Sequence, residues 1–267
     1  MNPRPGAEGI GGYYPDAYYG QRHPFLAGLM MRLREQKLPR VKGRPGRLLD
    51  IGCGRGDFIL YCRQHGWLVA GIEQRQSPVM ALKRSLDLEV YEPEQLAALP
   101  SESFDVVTIW HVLEHLSDPG EALAQVCRIL KPTGAVLIEV PNFGGWQSRV
   151  GGPAWFHLDV PRHLTHFERP TLARLLADRG LQPVRWQTFS LEYDAFGLAQ
   201  TILNRLGLRP NHLFQLLIRR MPGHAGRWDT WASVGLLPIL LAVALPASVL
   251  AAAVKQGGVL RVWARKR

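Results

Sequence analysis

A glycine-rich stretch after an apolar run constrains this fold more than any other feature. The apolar residues of Gly46–Ile51 lead into Gly52, Gly54 and Gly56. A short apolar run that ends at a glycine cluster is typical of a buried parallel strand. Glycines at the carboxyl end of such a strand let the backbone approach a ligand closely. The stretch therefore predicts a strand, a binding loop and a following helix over Gly56–His65.

Strands and helices alternate along the next part of the chain, which predicts a doubly wound α/β sheet. Further strands are predicted at Trp67–Glu73, Leu88–Tyr91, Phe104–Trp110, Ala135–Val140 and Gln182–Phe189, and further helices at Pro78–Arg84, Pro119–Leu130 and Thr171–Arg179. Asp118 is a good N-cap for the helix that begins at Pro119. After Ser190 the pattern changes, because Leu191–Ile218 is amphipathic and helix-like and a last strand follows at Val259–Lys266.

These patterns predict four parts: an N-terminal arm and helix at 1–45, an α/β core at 46–190, a helical hydrophobic insertion at 191–256, and the last strand with a basic tail at 257–267. The N-terminus has no apolar segment of the kind found in signal peptides. The three cysteines have no zinc-ligand spacing, and we expect them to be reduced in a cytoplasmic protein.

The chain is basic, with a formal net charge of +10. A positive surplus favours anionic partners such as nucleic acid, acidic lipid or a phosphorylated substrate, without choosing among them. We find no separate RNA-binding module and no strip of alternating basic and aromatic residues, so nucleic acid is not the expected partner.

The glycine loop has the spacing G-x-G-x-G, because Asp57 stands where a dinucleotide-binding fingerprint would need glycine. Glu73 ends the second predicted strand, where an acid can accept hydrogen bonds from ribose hydroxyls. Together the two features indicate a cofactor that contains a nucleoside.

Four segments extend this observation: LDIGCGRGDF (Leu49–Phe58), GIE (Gly71–Glu73), SFDVVTIWHVLEHLSDP (Ser103–Pro119) and RILKPTGAVLIEVPN (Arg128–Asn142). In this order and at these distances they resemble the class I S-adenosylmethionine (SAM)-dependent methyltransferases, in particular the bacterial branch that includes ubiquinone-type O-methyltransferases. The resemblance implies a seven-stranded Rossmann-like sheet whose last hairpin is antiparallel. If Val259–Lys266 is the seventh strand, residues 191–256 are an insertion between strands six and seven. The resemblance also implies that residues 46–190 bind SAM.

The resemblance assigns residues to the cofactor. Asp50, Gly52, Cys53 and Gly54 would line the methionine end of SAM, and Glu73 would bind the ribose. Glu94 and Gln95 lie where the family contacts adenine, although the usual aspartate is absent. Trp110 and His111 would face the sulfonium, where an aromatic face suits a cation. Core packing is the alternative role for Trp110.

An oxygen acceptor must lose a proton, and a neutral histidine is the usual group that accepts one near pH 7. His111, Glu114 and His115 form H-x-x-E-H, and His163 and His166 follow the fifth strand in the segment that covers the acceptor pocket in this family. We expect His111, His163 and His166 to be catalytic, with a base supplied by that segment.

The alternative for H-x-x-E-H is a metal site made by His111, Glu114, His115 and His166, since histidine and carboxylate suit zinc, iron or manganese. It resembles the E-x-x-E-H motif of small-RNA 2′-O-methyltransferases of the same fold. Many metal-free members have LEHL here, and no metal is the preferred interpretation. The roles of His157 and Arg162 in the same covering segment stay open between contact with the substrate and a place in a polar surface turn.

Trp231–Val254 contains no charged residue and is long enough to cross a membrane. Pro238 and Pro246 would interrupt one continuous helix. A single span would also separate the last strand from its sheet, so we predict a hairpin that dips into one leaflet or packs on the protein.

Taken together, the sequence predicts a SAM-dependent O-methyltransferase of an apolar or lipid-linked acceptor at the inner face of the membrane. An RNA 2′-O-methyltransferase with a metal-assisted site and a non-catalytic SAM-binding membrane scaffold are the alternatives. A helical cap or a dimer interface is the alternative role for the apolar stretch. The acceptor and the oligomeric state are not predicted.

Overall fold

The computed structural model describes residues 24–39, 41, 46–74, 79–80, 83, 87–217 and 227–267. The strands are β1 (Arg47–Ile51), β2 (Leu68–Ile72), β3 (Glu89–Tyr91), β4 (Phe104–Trp110), β5 (Leu130–Pro141), β6 (Leu181–Gln187) and β7 (Val259–Lys266). The α-helices are α1 (Pro24–Glu35), α2 (Asp57–Gln64), α3 (Pro119–Ile129), α4 (Trp146–Gly151), α5 (Arg169–Asp178), α6 (Asp194–Arg205), α7 (His212–Leu217) and α8 (Arg227–Ala253).

The seven strands form one sheet in the order β3-β2-β1-β4-β5-β7-β6, which confirms the predicted seven-stranded doubly wound sheet. β1 pairs in parallel with β2 on one side and with β4 on the other, so that Asp50 lies opposite Gly71 and Thr108. The strand order reverses between β1 and β4. Open α/β sheets bind ligands at the carboxyl ends of the strands where the order reverses.

The chain divides into two compact units. The sheet unit contains the described residues between 22 and 139 together with Pro170–Trp186 and Val262–Arg267. The helical unit contains Val140–Arg169 and Gln187–Arg261. This grouping by contact differs from the four predicted parts, whose boundaries stay a prediction.

In the sheet unit the helices form where apolar side chains recur on one face. In α2, the side chains of Phe58, Ile59 and Cys62 are buried, a spacing that keeps them on one side of a helix. α3 begins after Asp118, whose side chain accepts a hydrogen bond from the Glu121 amide at 2.8 Å. The predicted N-cap is therefore confirmed.

The fifth strand begins earlier than the predicted Ala135. β5 already begins at Leu130, which pairs with Phe104, and regular pairing with β4 resumes at Ala135 opposite Val106. The four intervening residues form an irregularity within the strand because the register shifts there. The predicted helix at Pro78–Arg84 lies mostly outside the described residues.

The helical unit has a core of small and apolar side chains from α6 and α8, namely Ala195, Leu198, Ala199 and Ala244. α8 is one continuous helix that contains Pro238 and Pro246. The predicted hairpin is therefore wrong. Both prolines are exposed, so the hydrogen bonds they forfeit lie away from α6, and the packing on the other side of the helix is kept.

Candidate functional site

The loop after β1 has a backbone that suits glycine. Gly52, Gly54 and Gly56 have φ angles of 77°, 59° and 81°, a region that other residues rarely adopt. A Cβ at Gly52 would lie 2.2 Å from Cγ2 of Val112, whereas a Cβ at Gly54 would have nothing within 4 Å. Val112 thus leaves no room for a side chain at position 52, whereas Gly54 lines open space.

Glu73, at the end of β2, is tied to this loop. Its Oε2 accepts a hydrogen bond from the Gly54 amide at 2.6 Å, and its Oε1 accepts one from the Gln74 amide at 2.9 Å. The predicted ribose ligand therefore lies beside the predicted glycine cradle. An open glycine position next to an oriented carboxylate fits the nucleoside and methionine parts of SAM.

Asp50 is a buried carboxyl at the end of β1. Oγ1 of Thr108 donates a hydrogen bond to its Oδ1 at 2.6 Å. Burial raises the pKa of Asp50 to about 7, against the lowering effects of the Thr108 hydrogen bond and of the Arg34 charge. A cation bound beside Asp50 would favour its ionised form.

The neighbouring Cys53, also predicted to line the cofactor, is a buried free cysteine. Burial raises the pKa of its thiol, so the group is a neutral thiol at physiological pH. Cys62 is likewise buried and free, and Cys127 is free and partly buried. A direct contact of Cys53 with SAM stays a prediction.

His111 follows β4 with a φ of 53° and lies between two carboxylates. Its Nδ1 is 3.4 Å from Oε1 of Glu114, and its Nε2 is 3.3 Å from Oε1 of Glu139. Both glutamates are only 1% exposed. Burial lowers the pKa of His111, but the hydrogen bonds and charges of Glu114 and Glu139 outweigh it and raise the pKa to about 9.

Sequence reasoning found Glu114 but missed Glu139, because Glu139 lies inside an apolar strand and is far from H-x-x-E-H in the sequence. The backbone gives the reason for the contact, since the His111 amide donates to the Glu139 carbonyl at 2.8 Å. His115 lies with Glu114 in the short 3-10 turn Leu113–His115. The turn and the end of β5 thus supply the two partners of His111.

Trp110 lies in the core cluster that also contains Phe58 and Trp263. The ring of Phe58 meets it edge-on at 5.9 Å, and the guanidinium of Arg34 lies 5.1 Å from its centroid. This position agrees with the packing role that the sequence left open. Contact with the sulfonium stays a prediction.

The predicted adenine loop is a 3-10 turn, Pro93–Ala98. The Gln95 side chain caps it by accepting from the Glu92 amide at 2.8 Å, while Glu94 is exposed. Sequence reasoning missed Arg128, whose guanidinium donates to the carbonyls of Leu96, Ala97 and Leu99. Arg128 therefore holds the end of this loop in place.

In the helical unit, two of the predicted histidines donate to backbone carbonyls. His163 Nδ1 is 2.8 Å from the His157 carbonyl, and His166 Nε2 is 3.0 Å from the Leu158 carbonyl. A carbonyl only accepts, so each of these nitrogens carries a proton. The opposite nitrogen of His163, Nε2, lies 3.7 Å from Oδ2 of Asp159. The two rings lie 6.2 Å apart.

His157 and Arg162 lie in the same segment after β5, and both contact neighbouring residues of the helical unit. His157 is buried, and its Nε2 would be 2.7 Å from a Cβ at Gly197, so the ring fills the space beside α6. Nη2 of Arg162 pairs with Oδ1 of Asp159 at 2.6 Å. These contacts agree with a packing role for His157 and a local ion pair for Arg162.

Comparisons with known proteins agree with this geometry. A family model described as a methyltransferase domain matches residues 19–185. Ubiquinone biosynthesis O-methyltransferases are similar over part of their length: that of Hahella chejuensis is 36% identical over 37% of this chain and 44% of its own. That of Thiobacillus denitrificans is 31% identical over 51% of this chain and 64% of its own. The chain thus spans less than two thirds of these relatives.

A solved SAM-dependent methyltransferase from Archaeoglobus fulgidus has a similar fold, with a TM-score of 0.54, 22% identity, and coverage of 89% of this chain and 93% of that one. At that identity the likeness shows the fold. The match of the methyltransferase domain model covers more than half of the chain, from before α1 into β6. On that match, and on the glycine loop at the reversal of strand order, the chain belongs to the class I SAM-dependent methyltransferase family.

Proposed function

We propose that this chain transfers the methyl group of SAM to an oxygen of an apolar or lipid-linked acceptor at the cytoplasmic face of a membrane. The observation that carries methyl transfer is the open Gly54 position, whose amide is bonded to Glu73. Bound SAM supplies a methyl group already activated by a positive sulfur. The protein must then align the acceptor with that methyl group and exclude water.

The chain's own groups would hold the two ends of SAM. Asp50, Gly52 and Gly54 would meet the methionine part, and Glu73 would accept hydrogen bonds from the ribose. Glu94 and Gln95 belong to the loop that Arg128 holds, which suits a contact with adenine. Each of these assignments rests on the family's pattern and on the local geometry of the sheet unit.

His111 is better suited to positioning than to accepting a proton. With a pKa of about 9, it is an imidazolium at neutral pH and has no lone pair with which to act as a base. We propose a metal-free site, as in the many metal-free members of the family that have LEHL at this place. Elemental analysis of protein prepared without chelators should show no stoichiometric transition metal, and one bound equivalent lost together with activity on chelation would contradict this.

His163 and His166 are the proposed sources of the base. His163 and His166 each bond a carbonyl through one ring nitrogen. The proton of the acceptor would go to the other one, which is Nδ1 in His166 and, in His163, the Nε2 that lies 3.7 Å from Oδ2 of Asp159. A base at either position would take the proton of the acceptor hydroxyl as the oxygen attacks the methyl group.

The membrane side of the proposal is supported by α8. Within the described chain it is the helix that is long and apolar enough to cross a membrane. Only 17% of its most apolar window is buried in the protein, so the rest of that apolar surface is exposed. Exposed apolar surface on that scale marks a contact with lipid or protein. The similarity to ubiquinone O-methyltransferases agrees with an apolar acceptor.

The deciding experiment incubates the full chain with labelled SAM and a total cell extract, followed by separation into lipid, RNA and protein. Label in the lipid fraction is the expected result. Label in RNA would overturn the proposal in favour of RNA methylation, and SAM binding without transfer to any fraction would favour a scaffold.

The proposed base is tested in the same assay. H163Q or H166Q should lose most of the transfer while keeping SAM affinity, whereas H65Q, at an exposed histidine of the sheet unit, should keep both. Full transfer by H163Q and by H166Q would contradict a histidine base in this segment.

A further inference from the structure

Most of the circumference of α8 is exposed and apolar, and only a narrow face of small residues is buried. Ser233, Ala244 and Ala251 are buried, and their spacings of 11 and 7 residues keep them on one face. The opposite face carries Trp228, Ile239, Val243 and Leu250, which are 78%, 64%, 59% and 69% exposed. The small buried residues bring α8 close to α6, and the large apolar residues point away from the protein.

The two ends of the insertion are fastened together within the helical unit. Oδ2 of Asp194 accepts from the Ser190 amide at 2.5 Å, and its Oδ1 accepts from the Gly258 amide at 2.5 Å. Asp194 is fully buried. The chain therefore leaves and re-enters the fold at one point, before α6 and after α8.

A single crossing by α8 would put Ser190 and Gly258 on opposite sides of a bilayer, unless the preceding segment crossed as well. The hydrocarbon core is about 30 Å thick, whereas the 12 residues of α6 span about 18 Å. α6 also ends with Asn204 and Arg205, which are costly inside lipid. The described helices thus fit a position in the plane of the membrane.

Charge points to the occupant of this surface. No acidic or basic residue occurs from Thr230 to Val254, and the exposed cations Arg205, Arg209 and Lys255 belong to the same unit. Trp228 and Trp231, both exposed, stand at the beginning of α8, and tryptophan is enriched at the boundary between headgroups and acyl chains. Basic and aromatic residues around an apolar face are typical of interfacial helices on anionic lipid.

We infer that α8 is an in-plane membrane anchor, which lays the face containing Trp228, Ile239, Val243 and Leu250 into one leaflet of an anionic bilayer without crossing it. The inference rests on the membrane location proposed above and adds how the protein is held there. Its ligand is the bilayer itself, so neither SAM nor an acceptor is needed to test it.

The first test measures binding of the full chain to vesicles of mixed anionic and zwitterionic phospholipid. I239E/V243E should weaken binding at least about tenfold, because two carboxylates would have to enter lipid. The matched control L68E/V184E changes two apolar residues of β2 and β6 that are also exposed and should bind as the unchanged chain does. All three proteins should bind SAM equally, which reports on folding.

A second measurement avoids added charge. Lipids brominated near the headgroup should quench the fluorescence of the unchanged chain more than that of W228F/W231F. Protease added outside the vesicles should remove a tag placed after Arg267.

Three results would overturn the inference: binding that survives I239E/V243E, a tag protected from protease, or a lipid-free dimer that this double change dissociates. Failure of methyl transfer with intact vesicle binding would instead count against the proposed function alone.

Discussion

The sheet unit and the helical unit depart in opposite ways from the usual rule that charged side chains are exposed and apolar ones buried. The sheet unit buries carboxylates, with Asp50, Glu114 and Glu139 each almost inaccessible. The helical unit exposes large apolar side chains along α8. Both arrangements cost free energy in an isolated soluble protein. Glu114 and Glu139 are paired with His111. The other two departures support the proposals made above, namely that Asp50 meets a charged cofactor and that α8 meets lipid.

The first prediction concerns the buried charges of the sheet unit at His111, where we expect the largest effect on the free energy of unfolding. Its pKa is raised above the unfolded value of about 6.5 to about 9. The ion pairs therefore stabilise the fold fully below pH 6.5, and this contribution is lost as pH rises through 9. A shift of this size corresponds to about 3 kcal/mol. Denaturant unfolding from pH 6 to 10 should show the decline in the unchanged chain.

H111N should lack most of that pH dependence, because asparagine does not titrate. H65N is the control, since His65 is exposed, and it should keep the slope. A slope that is equal in H111N and the unchanged chain would show that the two glutamates are not paired with a cation at this position.

The second prediction concerns the two sides of α8. Ala244 is fully buried against α6, so A244L should overpack the contact and lower the free energy of unfolding by about 1–3 kcal/mol. A242L changes an exposed alanine two residues away and should alter it by less than about 0.5 kcal/mol. Equal effects in thermal or denaturant unfolding would mean that α8 has no preferred side.

The third prediction separates cofactor binding from backbone strain. Gly54 and Gly207 both have positive φ and open space where a Cβ would lie, so G54A and G207A should each lose about 1 kcal/mol of stability. Only G54A should also weaken SAM binding, by at least about tenfold, because its methyl group would fill the space proposed for the cofactor. Equilibrium dialysis of both variants decides this.

The fourth prediction concerns the pH dependence of SAM affinity. Asp50, with a pKa of about 7, is partly protonated below that value, and a bound cation favours the carboxylate. SAM affinity should therefore rise by up to about tenfold per pH unit below pH 7 and level off above it. D50N should bind weakly and show a flat profile. An unchanged profile in D50N would remove Asp50 from the cofactor site.

Much of the sheet unit could be predicted because its signals are local. An apolar run before Gly52, an acid at the end of β2 and Asp118 before α3 each act within a few residues, and the structure confirms the elements they mark. The predicted hairpin at Pro238 and Pro246 is wrong because local helix-breaking tendencies were outweighed by packing on the other side of α8. That packing depends on α6, which lies far away in the sequence.

The sequence by itself determined the alternation of strands and helices, the glycine loop and its acid, and the family to which they belong, because periodicity and spacing are properties of neighbouring residues. Only the tertiary structure decided that Glu139 joins His111, that Arg128 holds the loop after Pro93, and that Asp194 fastens both ends of the insertion. Each of these contacts joins residues that are distant along the chain, and burial then sets its strength by removing water.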